Sequence, residues 1–331
     1  MGKSLVTGIE IGHHSIKAVV LKPNKGAFAL VDYQELPIEV GIFPDNHMSN
    51  YQKIVKKLKE LRKCLPRFSS KVALAIPDNA VISKILQIDS VHGSHEIEYA
   101  ITQAFSNQSP FPIEELNLDY VQLSHSGDHS KASYQVYATK KEVVEQQAML
   151  FKSASFQPII VDTRTHALIH IWQIAARANN KSDWLLVNVD FECSSLCIDF
   201  PDKAPYCKEV VLDNNIGKHQ AERSIAVGQQ SKRFVTELLD KIQRSLQLIA
   251  SVHGVVISGV WLSGPGANTV ILADEVTRRL HIECEYLNPL SLLTLPQRGQ
   301  SFSILANGYR FTSATGIALR GLTWLEQDHA A

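Results

Sequence analysis

The strongest constraint on what this chain folds into is one pattern that occurs twice. The stretch Leu5-Val6-Thr7-Gly8-Ile9-Glu10-Ile11-Gly12-His13-His14-Ser15-Ile16-Lys17-Ala18-Val19-Val20-Leu21 reads as an apolar strand ending in a carboxylate, a tight turn from Gly12 to Ser15, and a second strand. The stretch from Leu185 to Phe200 has the same form: Glu10 aligns with Asp190, Ser15 with Ser195 and Ile16 with Leu196, at one constant offset. Two such units in separate halves predict a duplicated α/β domain with a ligand between the halves.

The first copy has the chemistry of a phosphate loop. Gly12 lets the backbone approach a ligand closely, and the N–H groups of the turn suit an anion-binding nest. Ser15 adds a hydroxyl donor, Lys17 a point charge, and Glu10 a carboxylate able to hold a hydrated metal ion. The same residues fit a plain hairpin, where acid-x-Gly is common. In the second copy Glu192 stands where Gly12 stands in the first. Val260-Trp261-Leu262-Ser263-Gly264-Pro265-Gly266 reads as a strand entering a glycine turn, with a helix predicted over Ala267 to Leu280. That order fits an anion or ribose-phosphate site and equally a tight βα connection.

With 331 residues the chain is long enough for two domains, each with its own core. Its 33 basic and 33 acidic residues balance to zero net charge, so nothing global draws it to nucleic acid or to a membrane. There is no apolar run of transmembrane length, and Met1-Gly2-Lys3-Ser4 leads straight into a strand without a signal-peptide pattern. Cys64, Cys193, Cys197, Cys207 and Cys284 are odd in number and lack disulfide or zinc spacing, with Cys193 and Cys197 read as core thiols. The expected compartment is the cytoplasm.

Phe28 to Tyr33 predicts a third meander strand and Ser49 to Leu65 an amphipathic helix. The basic face of that helix (Lys53, Lys56, Lys57, Lys59, Arg62, Lys63) is read as solvated rather than membrane-bound. Strands are expected over Lys71 to Pro77 and Val81 to Ile88, then a helix capped by Ser94, a stop at Pro110-Phe111-Pro112, and strands over Leu116 to Leu123 and Tyr134 to Thr139 around a polar turn from Ser124 to Ser133. A helix from Lys141 to Ser155 completes a compact α/β insert. Pro158 to Asp162 leads into a helix over His166 to Ala178, and Trp184 opens the second half. Gly217 to His253 is mostly one long helix, and Thr312 to Gly321 a helix of small residues suited to close packing. His166 and His170 share a helix face at i and i+4, but with no third ligand they read as ordinary helix residues.

Together these pieces resemble the actin-like ATPase superfamily. The carriers are a first phosphate motif (Glu10 to Lys17), a second (Asp190 to Ser195), an adenosine motif (Leu262 to Gly266) and a final connecting helix (Gly316 to Gly321). Within it the chain is similar to the PilM family of type IV pilus assembly, related to FtsA and MreB. That likeness rests on Gly8-Ile9-Glu10-Ile11-Gly12-x-x-Ser15-Ile16-Lys17-Ala18-Val19, on Ser109-Pro110-Phe111-Pro112-Ile113-Glu114-Glu115-Leu116-x-Leu118-Asp119-Tyr120, and on Ile242-Gln243-Arg244-Ser245-Leu246. The resemblance implies an α/β, duplicated ribonuclease H-like actin-like ATPase fold. Subdomain 1A would span 1–88 and 158–183 with helix 310–331 packed back on it. An FtsA/PilM-type inserted subdomain 1C would span 89–157, and subdomain 2A with a reduced 2B would span 184–309.

The resemblance further implies a cytoplasmic scaffold, peripheral at the inner membrane through its partner. That partner would be the N-terminal cytoplasmic segment of a PilN-like inner-membrane protein, with a connection to pilus motor ATPases. It places ATP in the cleft: Gly12, His13, His14 and Ser15 at the phosphates, Lys17 on a phosphate oxygen, and Glu10 and Asp190 holding Mg²⁺ through water. Ser194 and Ser195 would form the second phosphate turn, and Gly264 and Gly266 would border the adenosine. Four departures weaken that site. Glu10 replaces an aspartate, Glu192 brings negative charge into the second turn, Pro265 removes a backbone donor, and Leu212 to Phe234 is too short for a full small subdomain. The expectation is a degenerate ATP site without turnover. The rival is an active kinase or ATPase of the same superfamily, for which Asp162 is the candidate base.

Overall fold

The computed structural model describes residues 4–24, 27–39, 48–89, 94–123, 131–190, 193–201, 203–212, 224–295 and 307–328. Glu192, the tip of the Ser124 to Ser133 turn and the start of the segment from Gly217 lie outside them.

The β-branched run after Leu5 forms strand β1 (Val6–Ile11), which pairs antiparallel with β2 (Ser15–Asn24), itself paired with β3 (Ala27–Pro37). Val6 to Ile9 are buried without alternation, because β1 is covered on both faces. β4 (Lys71–Ile76) joins β1 in parallel and β8 (Gln157–Thr163) joins β4, giving the order β3-β2-β1-β4-β8. The second half repeats this plan. β9 (Trp184–Asn188), β10 (Cys193–Phe200) and β11 (Lys203–Val211) form the meander, and β12 (Gly259–Ser263) and β13 (Glu283–Tyr286) extend it in parallel, in the order β11-β10-β9-β12-β13. The duplication read from Glu10 and Asp190 is thus a duplication of whole sheets.

A third sheet, β5 (Val81–Asp89), β7 (Lys131–Lys140) and β6 (Leu116–Gln122), carries helix α2 (Ser94–Ser106). Its core includes Ile101, Phe105 and Val136. Since β5 pairs with β7 along its full length, the inserted unit takes up the chain at Val81, earlier than the boundary expected at 89. The outer face of the first sheet is covered by α1 (Met48–Cys64) and α3 (Lys141–Lys152), through Ile54, Leu58, Leu61 and Phe151. In the second half, α5 (Ser224–His253) and α6 (Leu272–Leu280) pack together, and among the described residues no further sheet interrupts it.

Two helices fill the space between the sheets, and they are exchanged. Helix α4 (Arg164–Asn179) leaves β8 of the first sheet and lies on β10 of the second. Helix α7 (Thr312–Asp328) comes out of the second half and lies on β1 and β2 of the first. Small residues permit this: a Cβ at Gly8 would fall on the backbone of Ala314 and Ala318, and one at Gly316 on the carbonyl of Ala167. Thr163 caps α4 by accepting from the His166 N–H at 3.0 Å. Among the described residues no helix is long and apolar enough to cross a membrane.

Candidate functional site

The carboxyl ends of the parallel strands converge on one crevice, the usual ligand position in α/β sheets. Glu10 is the penultimate residue of β1, Asp78 lies two residues past β4, Arg164 follows β8 directly, and Asp190 lies two residues past β9. The topology therefore brings the two aligned acids to the same cleft.

The first motif forms its tight turn, closed by the Gly12 N–H donating to the Ser15 carbonyl at 2.9 Å. His13 and His14 occupy the tip, and the His14 carbonyl accepts from Ile38 at 3.0 Å. The polar side chains behind it are engaged with one another. Lys17, 2% exposed, points its Nζ at Glu10 Oε2, 3.4 Å away. Ser15 Oγ donates to Glu35 Oε1 at 2.7 Å, and Arg310 Nη2 donates to the same oxygen at 2.7 Å. Burial pushes the Glu35 carboxyl up, but the bonds from Arg310 and Ser15 and the charges of Arg310 and Lys17 outweigh it, leaving it below the ordinary glutamate range.

In the second motif Ser194 and Ser195 lie in β10 and are buried. Ser194 Oγ donates to the Asp190 carbonyl at 2.9 Å and accepts from the Asp190 N–H at 3.2 Å, tying off the β9–β10 turn. Ser195 Oγ is buried without a hydrogen-bond partner, and its strand neighbour across β11 is Glu209. Gly264 and Gly266 are brought against the end of β9, but their N–H groups are spent inside the protein, on the Tyr309 carbonyl (2.7 Å) and the Val189 carbonyl (2.9 Å). Gly264 has a φ of +85°, and a Cβ there would strike the Val189 carbonyl. The helix expected from Ala267 begins only at Leu272, because Gly264 to Leu272 is held as a succession of turns (Ala267 to Gly264, Thr269 to Gly266, Leu272 to Thr269).

Arg164, the first residue of α4, crosses toward the second half, its Nη1 4.0 Å from Glu209 Oε1. Burial lowers its pKa, but the charges of Glu10, Glu209, Asp190 and Asp78 overcome that and raise it. Asp78 Oδ1 accepts from the Thr165 N–H at 3.2 Å, while Asp78 Oδ2 is buried without a hydrogen-bond partner. Burial and the Asp78 charge push the Glu209 carboxyl up by more than Arg164 and Cys193 pull it down. Among the described residues no three His, Cys, Asp or Glu side chains are placed to hold a metal ion.

The family model described as "Type IV pilus assembly protein PilM" matches residues 8–199, more than half of the chain. The chain belongs to the PilM family. Its fold agrees with that membership. The solved PilM–PilN type IV pilus biogenesis complex matches with a TM-score of 0.79 over 97% of this chain and 99% of that one, at 22% identity. The ethanolamine utilization protein EutJ from Carboxydothermus hydrogenoformans matches with a TM-score of 0.52, covering 96% of this chain and 90% of that one at 12% identity. The nucleotide-free diol dehydratase-reactivating factor gives 0.52 over 97% and 100%, at 8% identity. The fold is that of the actin-like ATPases.

In this PilM-family chain Asp162 is not an available base. His166 Nδ1 lies 2.7 Å from its Oδ1 and Arg320 Nε 2.6 Å from its Oδ2. Burial pushes its carboxyl up, but His166 and Arg320 bring it down to about 2, so with both oxygens engaged it is a weak proton acceptor at neutral pH. His166 also packs edge-on against Tyr137 of the insert, ring centroids 4.5 Å apart, which ties the insert to α4. His166 and His170 are thus helix residues in their own networks. Sequence reading missed Glu35, Asp78, Arg164, Glu209 and Arg310. The repeat does not reveal them: at its offset Glu35 falls on Asn215 and Glu209 on Ala29, and in the sheets Glu35 pairs with Lys17 whereas Glu209 pairs with Ser195.

Proposed function

We propose that this chain is a cytoplasmic docking adaptor of type IV pilus assembly. It binds the N-terminal cytoplasmic segment of a PilN-like inner-membrane protein, sits at the inner membrane through that partner, and links it to the pilus motor ATPases. The observation that carries the reading is end-to-end similarity to the solved PilM–PilN complex, together with family membership over 8–199. In this reading the cleft is a joint rather than a catalytic centre, and Mg²⁺-ATP is dispensable. In support, Ser15 is bonded to Glu35, Lys17 to Glu10, and the N–H groups of Gly264 and Gly266 to carbonyls, so the groups a nucleotide needs already serve the protein. The engaged, strongly acidic Asp162 counts against the kinase alternative.

The test is calorimetric titration of the full chain with a synthetic peptide of the partner's N-terminal cytoplasmic segment, with and without Mg²⁺-ATP, alongside Glu192→Gly. Peptide binding of equal strength in both conditions is expected. Binding that requires Mg²⁺-ATP, or phosphate release on mixing, overturns the reading.

A further inference from the structure

We propose that the outer face of α1, with the turn that follows it, is a contact surface for an anionic phospholipid membrane. The inference goes beyond partner docking, because it gives the chain a direct hold on the bilayer; it rests on the adaptor reading only for bringing that bilayer near.

The helix is built in two faces. Ile54, Leu58 and Leu61, continued by Leu65, form the apolar stripe that lies on the first sheet. Opposite that stripe, at spacings of three and four, stand Lys56, Lys59 and Lys63, with Lys53 one turn before them, and all four are exposed. Among the described residues none of the four is in an ion pair. The one carboxylate of the helix, Glu60, is taken by Lys57, whose Nζ lies 2.9 Å from its Oε2. In a chain of zero net charge this is a local concentration of cations. Exposed Lys152 adds to it at the end of α3, where Ser153 Oγ lies 3.1 Å from Tyr51 Oη at the start of α1. Tyr51, Gln52, Val55, Lys56 and Lys59 border an open hollow of about 320 Å³, with room for a phosphate headgroup.

From sequence this face reads as solvated; the structure brings exposed aromatics to both its ends, Tyr51 at the start and Phe68 beyond the last turn. Phe68 is 80% exposed, and the turn that displays it is fixed. The Ser69 N–H and Oγ both donate to the Pro66 carbonyl (3.1 and 2.6 Å), and Arg62 donates to the carbonyls of Pro66 and Arg67 (3.2 and 2.7 Å). Arg67 Cζ lies 6.0 Å from the Phe68 ring centroid. An aromatic ring held among cations suits the membrane interface, where the ring enters the headgroup layer and the ammonium groups stay at the phosphates.

An acidic protein and an anionic bilayer both answer lysines, and the residues here favour the bilayer. A fixed carboxylate is best met by the planar fork of arginine, yet the arginine of this helix, Arg62, is spent on carbonyls. The outward cations are lysines, compact point charges on flexible stems that suit mobile, diffuse charge. The exposed ring asks for an apolar layer besides, which lipid supplies. Near an anionic leaflet each lysine strengthens binding about fivefold, so this face gives a reversible hold that adds to the partner's anchor. It lies on the outer side of the first sheet, away from α4, α7 and the cleft.

The test pellets the full chain with vesicles of equal parts phosphatidylcholine and phosphatidylglycerol, and with vesicles of phosphatidylcholine alone, across a salt series. Wild type is expected to pellet with the first and not the second, and to be released as salt rises. Lys56→Gln, Lys59→Gln and Lys63→Gln are each expected to weaken binding about fivefold, and Phe68→Ser to weaken it at every salt concentration. Urea midpoints should stay at the wild-type value, since these side chains are exposed, so that a loss of pelleting is a loss of contact. Equal binding to neutral vesicles, no binding to anionic ones, or a triple lysine variant that binds like wild type overturns the proposal. So does lysine-dependent binding of polyglutamate without binding of vesicles, which would make the face a seat for an acidic protein. Titration with the partner peptide on the same preparation judges the adaptor reading separately: a chain that binds peptide but not anionic vesicles overturns this inference alone.

Discussion

Arg310 and Glu35 lie 275 residues apart in the chain and 2.7 Å apart in space. Glu35 also accepts from Ser15, so one carboxylate oxygen ties the serine of the β1–β2 turn to the entrance of the last helix. A double-mutant cycle on Arg310→Ala and Glu35→Ala should give a coupling of about 1 kcal/mol, kept modest because both side chains reach solvent in part. Chemical denaturation of the four proteins measures it.

Lys17 and Glu10 are a more deeply buried pair, with side chains 3% and 12% exposed. Lys17→Met leaves Glu10 charged and short of its partner, and should cost about 3 kcal/mol. Lys17→Met with Glu10→Gln should recover most of that, because the uncompensated charge is removed. Urea midpoints of the two variants against wild type decide the point.

His170 sets a pH window. Burial and the charges of Arg320 and Arg177 push its imidazole down from 6.5 to about 4. Between those values the unfolded chain binds a proton that the folded one refuses. Its contribution is therefore complete above pH 6.5 and declines as pH falls toward 4. The loss across the window is about 2 to 3 kcal/mol. His170→Gln should flatten the stability profile in this window, as read from urea midpoints taken at its two ends.

Gly316 marks where α7 meets α4. A methyl group there would fall on the Ala167 carbonyl, so Gly316→Ala should destabilise by about 2 to 3 kcal/mol. Gly8→Ala, which meets the backbone of Ala314 and Ala318, should behave alike, whereas Gly254→Ala meets nothing within 4 Å and should suffer only from its φ of +70°. Thermal midpoints of the three variants rank them.

Much of this architecture is legible in the residues because the relevant signals are local. The run after Leu5 and its copy after Leu185 announce two meanders through β-branched residues, a terminal acid and a serine, and each becomes three antiparallel strands. Pro110-Phe111-Pro112 announces the insert, and Val81 to Ile88 reads as a strand, but it follows β4 so closely that only its pairing with β7 assigns it to the insert. The late start of the helix after Gly266 was likewise hidden, since the turns before it are held by bonds to Val189 and Tyr309, far away in sequence. The cleft was legible in two of its acids and not in its arginines. Glu10 and Asp190 sit inside a repeat, whereas Arg164 and Arg310 are ordinary residues until the exchange of α4 and α7 gives each an opposite carboxylate.

That exchange also sets a timetable. β1 is made long before α7, which closes its inner face. Until α7 has been made, the apolar side of the first sheet waits uncovered, and the first half cannot complete its native core. A nascent chain halted anywhere between β1 and Thr312 presents Val6, Val19 and Leu21 to whatever chaperone or neighbour is at hand.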